Sequence, residues 1–177
     1  KRSGRYLTTT ADATHFVNCK GLVKITNCTF EHMLDDAVNV HGCYLKVSKV
    51  VDEYTLGFET SHFQQQGFDF ASSGDEIRFV AKYKLLPITT AIVKSVKVIN
   101  DKYREVTFTS KVSDKIDTDC AGNNLTWMPA LEMRNCIVRE NRARSLLVTT
   151  PRPVLIENNS FSSMMSGILI EGDTHVW

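Results

Sequence analysis

Three short segments of this chain align without gaps: Ile25-Thr26-Asn27-Cys28-Thr29-Phe30, Met133-Arg134-Asn135-Cys136-Ile137-Val138 and Ile156-Glu157-Asn158-Asn159-Ser160-Phe161. Each reads apolar, variable, Asn, small or polar, variable, apolar, and the second and third start 23 residues apart. A period of that size is about one coil of a right-handed parallel β-helix, whose repeats each supply short strands to shared, stacked sheets. Asn suits the same place in every coil because it tolerates left-handed backbone at a corner and its amide can bond its counterpart one coil on. Cys28 and Cys136 follow at matched places, where a small buried thiol packs as a modest hydrophobe, so they are read as core filling.

Between the first two copies lies far more chain than a coil needs. That interval carries runs of β-formers at 44–51, 55–59, 76–80, 92–99 and 105–109, separated by turn-prone stretches such as Ser72-Ser73-Gly74-Asp75 and Asn100-Asp101-Lys102. The pattern predicts a small antiparallel β-barrel or sandwich inserted into the solenoid. Residues 114–124 are polar and rich in Asp, Asn and Gly, and read as a return loop. The expected architecture is all-β: β-helix coils over 1–43, an inserted barrel-like domain over 44–127, and further coils over 128–177. No amphipathic helix caps either end, although solenoids need terminal caps for solubility, so the chain reads as the central piece of a longer protein.

A net charge of +1, with no basic run, argues against nucleic acid as a partner. No apolar stretch approaches the roughly 18 residues of a membrane span. A leader would have been lost from an excised piece, and the expected location of the whole protein is secreted or periplasmic. Five cysteines make an odd count without C-x-x-C spacing, which predicts free thiols rather than a disulfide framework.

The chemistry is concentrated in Leu34-Asp35-Asp36-Ala37-Val38-Asn39-Val40-His41-Gly42, with a further acid, Asp12, 23 residues before Asp35. At one-coil spacing Asp12 and Asp35 would stack about 4.8 Å apart along the axis. A one-residue offset could open the carboxyls to roughly 6.5–9.5 Å, the separation that admits a water in an inverting glycosidase. Close carboxylates raise one another's proton affinity, so one could stay protonated as general acid while another stays ionised as base. Strand alternation that buries Val38 and Val40 would also turn Asp36 inward, at a cost. The expected resolution is a corner at Leu34-Asp35-Asp36 that leaves both acids facing solvent. The alternative is an Asp36 that caps backbone amides there.

Asp12-Ala13-Thr14-His15-Phe16-Val17-Asn18-Cys19-Lys20-Gly21, taken with the Leu34 to Gly42 motif, resembles glycoside hydrolase family 110, the exo-acting α-1,3-galactosidases. Gly67-Phe68-Asp69-Phe70 and Gly74-Asp75-Glu76-Ile77-Arg78-Phe79 are similar to the barrel that interrupts that family's β-helix. The resemblance implies cofactor-independent hydrolysis that inverts the anomeric carbon and releases terminal α-linked galactose from an oligosaccharide or glycoconjugate. It implies Asp12 as general acid and the pair Asp35 and Asp36 as the groups that hold and deprotonate water, with the base of that pair open.

The repeat also places Arg144 over Asp36, with Arg142 beside it, where an Arg could clamp sugar hydroxyls or be an ordinary outer-face cation. With one residue of slack Glu171 falls over His41, either to bind galactose hydroxyls or as a surface acid. His15 and His41 could donate to sugar hydroxyls or be exposed imidazoles, and Asn39, pointing outward on the same strand, is grouped with the substrate-binding candidates. Trp127 and Tyr44 could form an aromatic platform or pack the junctions of the insert. A metal site is not expected, because the His and Asp spacings lack helix-based ligand motifs.

Two other readings remain. A polygalacturonase-like hydrolase would carry Gly-His-Gly and Arg-Ile-Lys, and neither occurs here. A non-catalytic carbohydrate-binding β-helix would use the acids for hydrogen bonds or calcium.

Overall fold

The computed structural model describes residues 4–112 and 114–172; the remaining parts of the expected segments lie outside the described residues. The chain is all-β and divides into two compact units, one made of residues up to His41 together with Trp127–Glu171 and the other of Gly42–Thr126 with Gly172.

In chain order, β1 (Thr14–Val17), β2 (Leu22–Thr26), β3 (Thr29–Glu31) and β4 (Val38–His41) come first. They are followed by β5 (Tyr44–Val50), β6 (Thr55–Glu59), β7 (Glu76–Ala81), β8 (Pro87–Val98), β9 (Tyr103–Phe108) and β10 (Cys120–Asn124). The last six are β11 (Ala130–Arg134), β12 (Ile137–Asn141), β13 (Leu146–Thr149), β14 (Val154–Glu157), β15 (Ser160–Ser163) and β16 (Ile168–Ile170).

The first unit consists of three parallel sheets, ordered β1-β4-β13-β16, β14-β11-β2 and β15-β12-β3. The aligned repeats fall into register: Ile25 lies beside Met133 and Phe30 beside Val138, while Met133 and Val138 pair in turn with Ile156 and Phe161. Asn27, Asn135 and Asn158 all have left-handed backbone, at φ 57°, 54° and 52°. Asn158 Nδ2 donates to Asn135 Oδ1 at 2.7 Å, the amide-to-amide bond expected from the repeat at that step. Asn18, outside the three aligned segments, adopts the same conformation at φ 52°. Between the strands, Val23, Ile25, Met33, Val38, Val40, Leu131, Met133, Val138, Leu146 and Val148 form one core, with Cys136 buried among them.

The second unit is a closed antiparallel barrel of order β10-β5-β6-β9-β8-β7. Its interior is aromatic: the Phe58 ring packs against Phe70, Phe79 and Phe108 at centroid distances of 5.3, 6.3 and 6.4 Å. One expectation needs correction here. Part of the stretch read as a return loop, Cys120–Asn124, is the strand that closes the barrel between β5 and β7. Cys-Ala-Gly-Asn-Asn has poor intrinsic β-propensity, and its state is imposed by two neighbouring strands rather than by its own residues. Small size is what the position requires, since a Cβ on Gly122 would come within 2.8 Å of Phe58 Cε1 and 3.1 Å of Ile77 Cγ2. Gly122→Ala is accordingly expected to cost about 1–3 kcal/mol through overpacking, read as a lower urea midpoint for unfolding.

All five cysteines are free thiols, as the odd count implied. Burial pushes the Cys43 thiol up to about 12, against the lowering influence of Arg104, so it is not poised as a nucleophile.

Candidate active site

The candidate residues lie on the β1-β4-β13-β16 sheet and the turns that lead into it. β1 pairs with β4 so that Thr14 lies beside Val38 and Phe16 beside Val40. That register keeps Phe16, Ala37, Val38 and Val40 together on the core side. It also sets Asp12 level with Asp36 rather than Asp35, one residue away from the expected stacking: the Ala13 amide donates to Asp36 O at 2.9 Å, and the Asp36 amide donates to Asp12 Oδ1 at 3.1 Å. Core packing of the apolar side chains, not a fixed period, decides the phase.

Asp12, Asp35 and Asp36 do come together, with one oxygen from each lying within 4.8 Å of the others. That is closer than the roughly 6.5–9.5 Å expected for inversion. The second correction concerns Asp36. Leu34 and Asp35 do form a bend before β4, but Asp36 is fully buried and does not face solvent. Its Oδ1 accepts from the Arg144 amide at 2.9 Å and from Arg144 Nε at 2.6 Å. The buried carboxylate is tolerated because Arg144 stacks directly over it, as the repeat phase had implied, and supplies both a charge and a backbone donor. Arg144 Nη2 also reaches Asp35 Oδ1 at 3.8 Å, and the Asp35 side chain is 43% exposed. The bond to Asp36 raises the guanidinium's proton affinity, burial works against it, and the charges of Asp36, Asp35 and Asp12 add to the rise. Arg144 thus supplies the positive charge for this acidic cluster, and we assign no metal site there.

Asp12 is surrounded by donors. Besides the Asp36 amide, Asn39 Nδ2 donates to its Oδ2 at 3.2 Å, and His15 Nδ1 stands 3.1 Å from the same oxygen. Burial pushes the Asp12 carboxyl up, but the bonds from His15, Asn39 and the Asp36 amide outweigh it and hold the group below its ordinary value. The acid expected to stay protonated is therefore a carboxylate at neutral pH. This is the third correction, and its cause is the number of donors around one carboxyl.

The remaining candidates separate into two groups. Asn39 is 8% exposed and His41 1%, so neither presents its side chain as an open sugar contact; Asn39 is spent on Asp12, and His41 Nε2 meets His15 Nε2 at 2.6 Å. His15 is exposed at the edge of the cluster. The His15–His41 contact was not visible as a spacing, because it is diagonal across the β1–β4 pair, with His15 beside Asn39 and Val17 beside His41. Arg142 is exposed, with its Nε on Leu34 O at 2.8 Å, next to the acids. Glu171 is exposed and does not join them: Thr149 stands between it and His41 in the stacked sheet, and Thr149 Oγ1 donates to Glu171 O. Tyr44 is buried in the barrel unit with Arg78 Nη2 on its hydroxyl at 3.3 Å, which removes it as a sugar platform. Trp127 carries Lys20 Nζ 5.7 Å above its ring.

Comparison with known proteins gives a consistent result. Residues 55–119 match the family described as GLAA-B beta-barrel domain II. Alpha-1,3-galactosidase A of Bacteroides fragilis is 40% identical over 178 residues, covering 99% of this chain and 29% of that protein. Alpha-1,3-galactosidase B of Akkermansia muciniphila is 40% identical over 178 residues, covering 100% of this chain and 22% of that protein. Alpha-1,3-galactosidase B of Phocaeicola vulgatus is 39% identical over 185 residues, covering 98% of this chain and 31% of that protein. The chain thus spans less than a third of the length of these curated relatives.

Proposed function

Because this segment belongs to glycoside hydrolase family 110, we propose that the protein carrying it hydrolyses terminal α-1,3-linked galactose from glycans, acting from the chain end and inverting the anomeric carbon. The three parallel sheets are taken as the faces of a right-handed parallel β-helix, with the barrel as an insertion over 44–127. The observation that carries the reading is the convergence of Asp12, Asp35 and Asp36 within 4.8 Å, two of them partly open to solvent.

The burial of Asp36 divides the roles. Asp35, 43% exposed, is the acid that a substrate-bound water can reach, and it serves as general base. Asp36, held by Arg144, fixes that guanidinium and, through its backbone amide, the Asp12 carboxyl. Asp12, a carboxylate in the free site, must first gain a proton before it can pass one to the glycosidic oxygen. Arg142 and the open side of His15 contact sugar hydroxyls. Inversion requires the gap between Asp12 and Asp35 to widen, and a change of rotamer at the half-exposed Asp35 achieves this when sugar and water enter. No cofactor takes part in this scheme. On this reading the whole protein is expected to act outside the cytoplasm, secreted or periplasmic.

Oxygens lying within 4.8 Å of one another also admit the closer carboxyl spacing of a retaining enzyme, roughly 5–5.5 Å, so retention is the second reading. Proton NMR of the first galactose released from an α-1,3-linked disaccharide separates them. Initial β-galactose is the expected result; initial α-galactose would establish retention, and no release from any α-galactoside would favour a carbohydrate-binding module.

A further inference from the structure

Where the β5–β6 turn meets β8 and β9, the barrel carries a cleft that shares no residue with the acid cluster. It holds about 510 Å³ and is lined by Asp52 and Tyr54 of the turn, Thr55 of β6, Lys94 of β8 and Thr107 of β9. Cavities of roughly 300–1,000 Å³ are the size that takes small ligands. Glu53 lines it too, but its carboxylate is already paired with Lys111 Nζ at 2.8 Å. The groups left to meet a ligand are one acid, one ammonium, two hydroxyls and an aromatic ring.

The fold sets these groups in place. Asp52 Oδ1 accepts from the Tyr54 amide at 2.8 Å, and that bond holds the Asp52 carboxyl below its ordinary value, so it meets a ligand as an ionised acceptor. The Thr55 hydroxyl bonds the same carboxylate and lies 3.1 Å from the Thr107 hydroxyl, which joins the three side chains into one polar strip. Lys94 is the extra residue of a β-bulge: Val93 lies beside Phe108 and Ser95 beside Thr107, and no β9 residue answers the one between them. A bulge re-aims a side chain, and Lys94 is exposed and forms no ion pair among the described residues. Tyr54 is 44% exposed and brings its ring to the same cleft.

We infer that this cleft binds a neutral pyranose of a glycan chain, a sugar contact separate from the acid cluster. A pyranose offers hydroxyls that both donate and accept, together with an apolar C–H face. Asp52 accepts from its hydroxyls, Lys94 donates to a hydroxyl oxygen, and the Tyr54 ring takes the C–H face. Other ligand classes fit less well. An anionic sugar meets the Asp52 and Glu53 carboxylates, and a lone cation meets Lys94. An extended peptide finds no free strand edge, because the barrel is closed. The inference stands on barrel residues alone and does not depend on how the acids act. On a chain that also cleaves glycans, such a contact raises the local concentration of multivalent substrate.

The test is saturation-transfer difference NMR on the full-length protein with methyl β-galactoside, methyl α-glucoside and methyl α-mannoside, neutral pyranosides with no α-galactosidic bond to cleave. At least one is expected to show saturation of its ring protons, and Tyr54→Ala and Lys94→Met are each expected to weaken its binding by at least about threefold. Both side chains are exposed, and Lys94→Met supplies the test if Tyr54→Ala does not fold. In both variants kcat/KM on an α-1,3-linked galactose disaccharide is expected to stay within about twofold of the unaltered enzyme, since separate sites act independently. No saturation from any of the three pyranosides, or saturation that neither variant reduces, would overturn the inference. So would a cleft that takes only a methyl α-sialoside and loses it in Lys94→Met, because the ligand would then be an anionic sugar. A protein that cleaves the disaccharide but ignores the pyranosides loses the cleft alone. One that binds them through Tyr54 yet cleaves nothing keeps the cleft and loses the hydrolytic reading.

Discussion

Arg144→Met is expected to destabilise the protein by about 3–5 kcal/mol, because it strands the Asp36 carboxylate in a fully buried place without its counter-charge. The cost lies in removing one partner of a buried pair, not in the net worth of the pair itself. The double variant Asp36→Asn with Arg144→Met is therefore expected to recover most of the loss. It contains no uncompensated buried charge, and the Asn side chain still offers an oxygen to the residue-144 amide, which now donates to Asp36 Oδ1 at 2.9 Å. Urea unfolding of the four members of this cycle measures the coupling. A single-variant loss below about 1 kcal/mol, or losses that simply add, would show that solvent already screens the contact, as it does for surface pairs.

Asp35→Asn is expected to do the opposite: to lower kcat by about 10²–10⁴-fold while moving the melting temperature little. The amide keeps the shape of the carboxylate but cannot take a proton from water. Asp35 is 43% exposed and 3.8 Å from Arg144, a separation at which an exposed ion pair contributes about 0–1 kcal/mol. Steady-state kinetics on an α-1,3-galactoside, run beside thermal melts, checks both halves. A variant that kept near-normal turnover would transfer the base to another residue. One that melted many degrees lower would mean that Asp35 holds the corner together.

The contrast between these two neighbouring acids shows what the sequence could and could not convey. The corner positions were legible because the rule that fixes them is local: few side chains other than Gly and Asn adopt positive φ cheaply, and Asn27, Asn135 and Asn158 recur in phase. The stacking of Arg144 on Asp36 was legible for the same reason, since an unbroken phase carries across the insertion. The level of Asp12 was not, because the β1–β4 offset is set by how Phe16 and Val40 share the core, and later parallel strands pair with shorter offsets, down to Leu146 beside Ile168. The inward turn of Asp36 was legible from alternation, and its cost led to the opposite expectation; the capping alternative is the one observed, with the Arg144 amide and guanidinium both on Asp36 Oδ1. β10 escaped notice because Cys120–Asn124 contains no strong β-former, and Phe58 and Ile77 leave no room for one at Gly122. The His15–His41 contact needs the same offset that displaced Asp12, so one unread register step hid both.

The central claim is that Asp12 and Asp35 flank the scissile bond of a bound galactoside. Its most direct test is a crystal structure of the full-length Asp35→Asn enzyme holding an α-1,3-linked galactose disaccharide. The expected result is a terminal galactose whose glycosidic oxygen lies about 2.6–3.2 Å from an Asp12 carboxyl oxygen, with an ordered water between residue 35 and the far face of the anomeric carbon. A disaccharide seated elsewhere, with no sugar atom near residue 12 or 35, would contradict it.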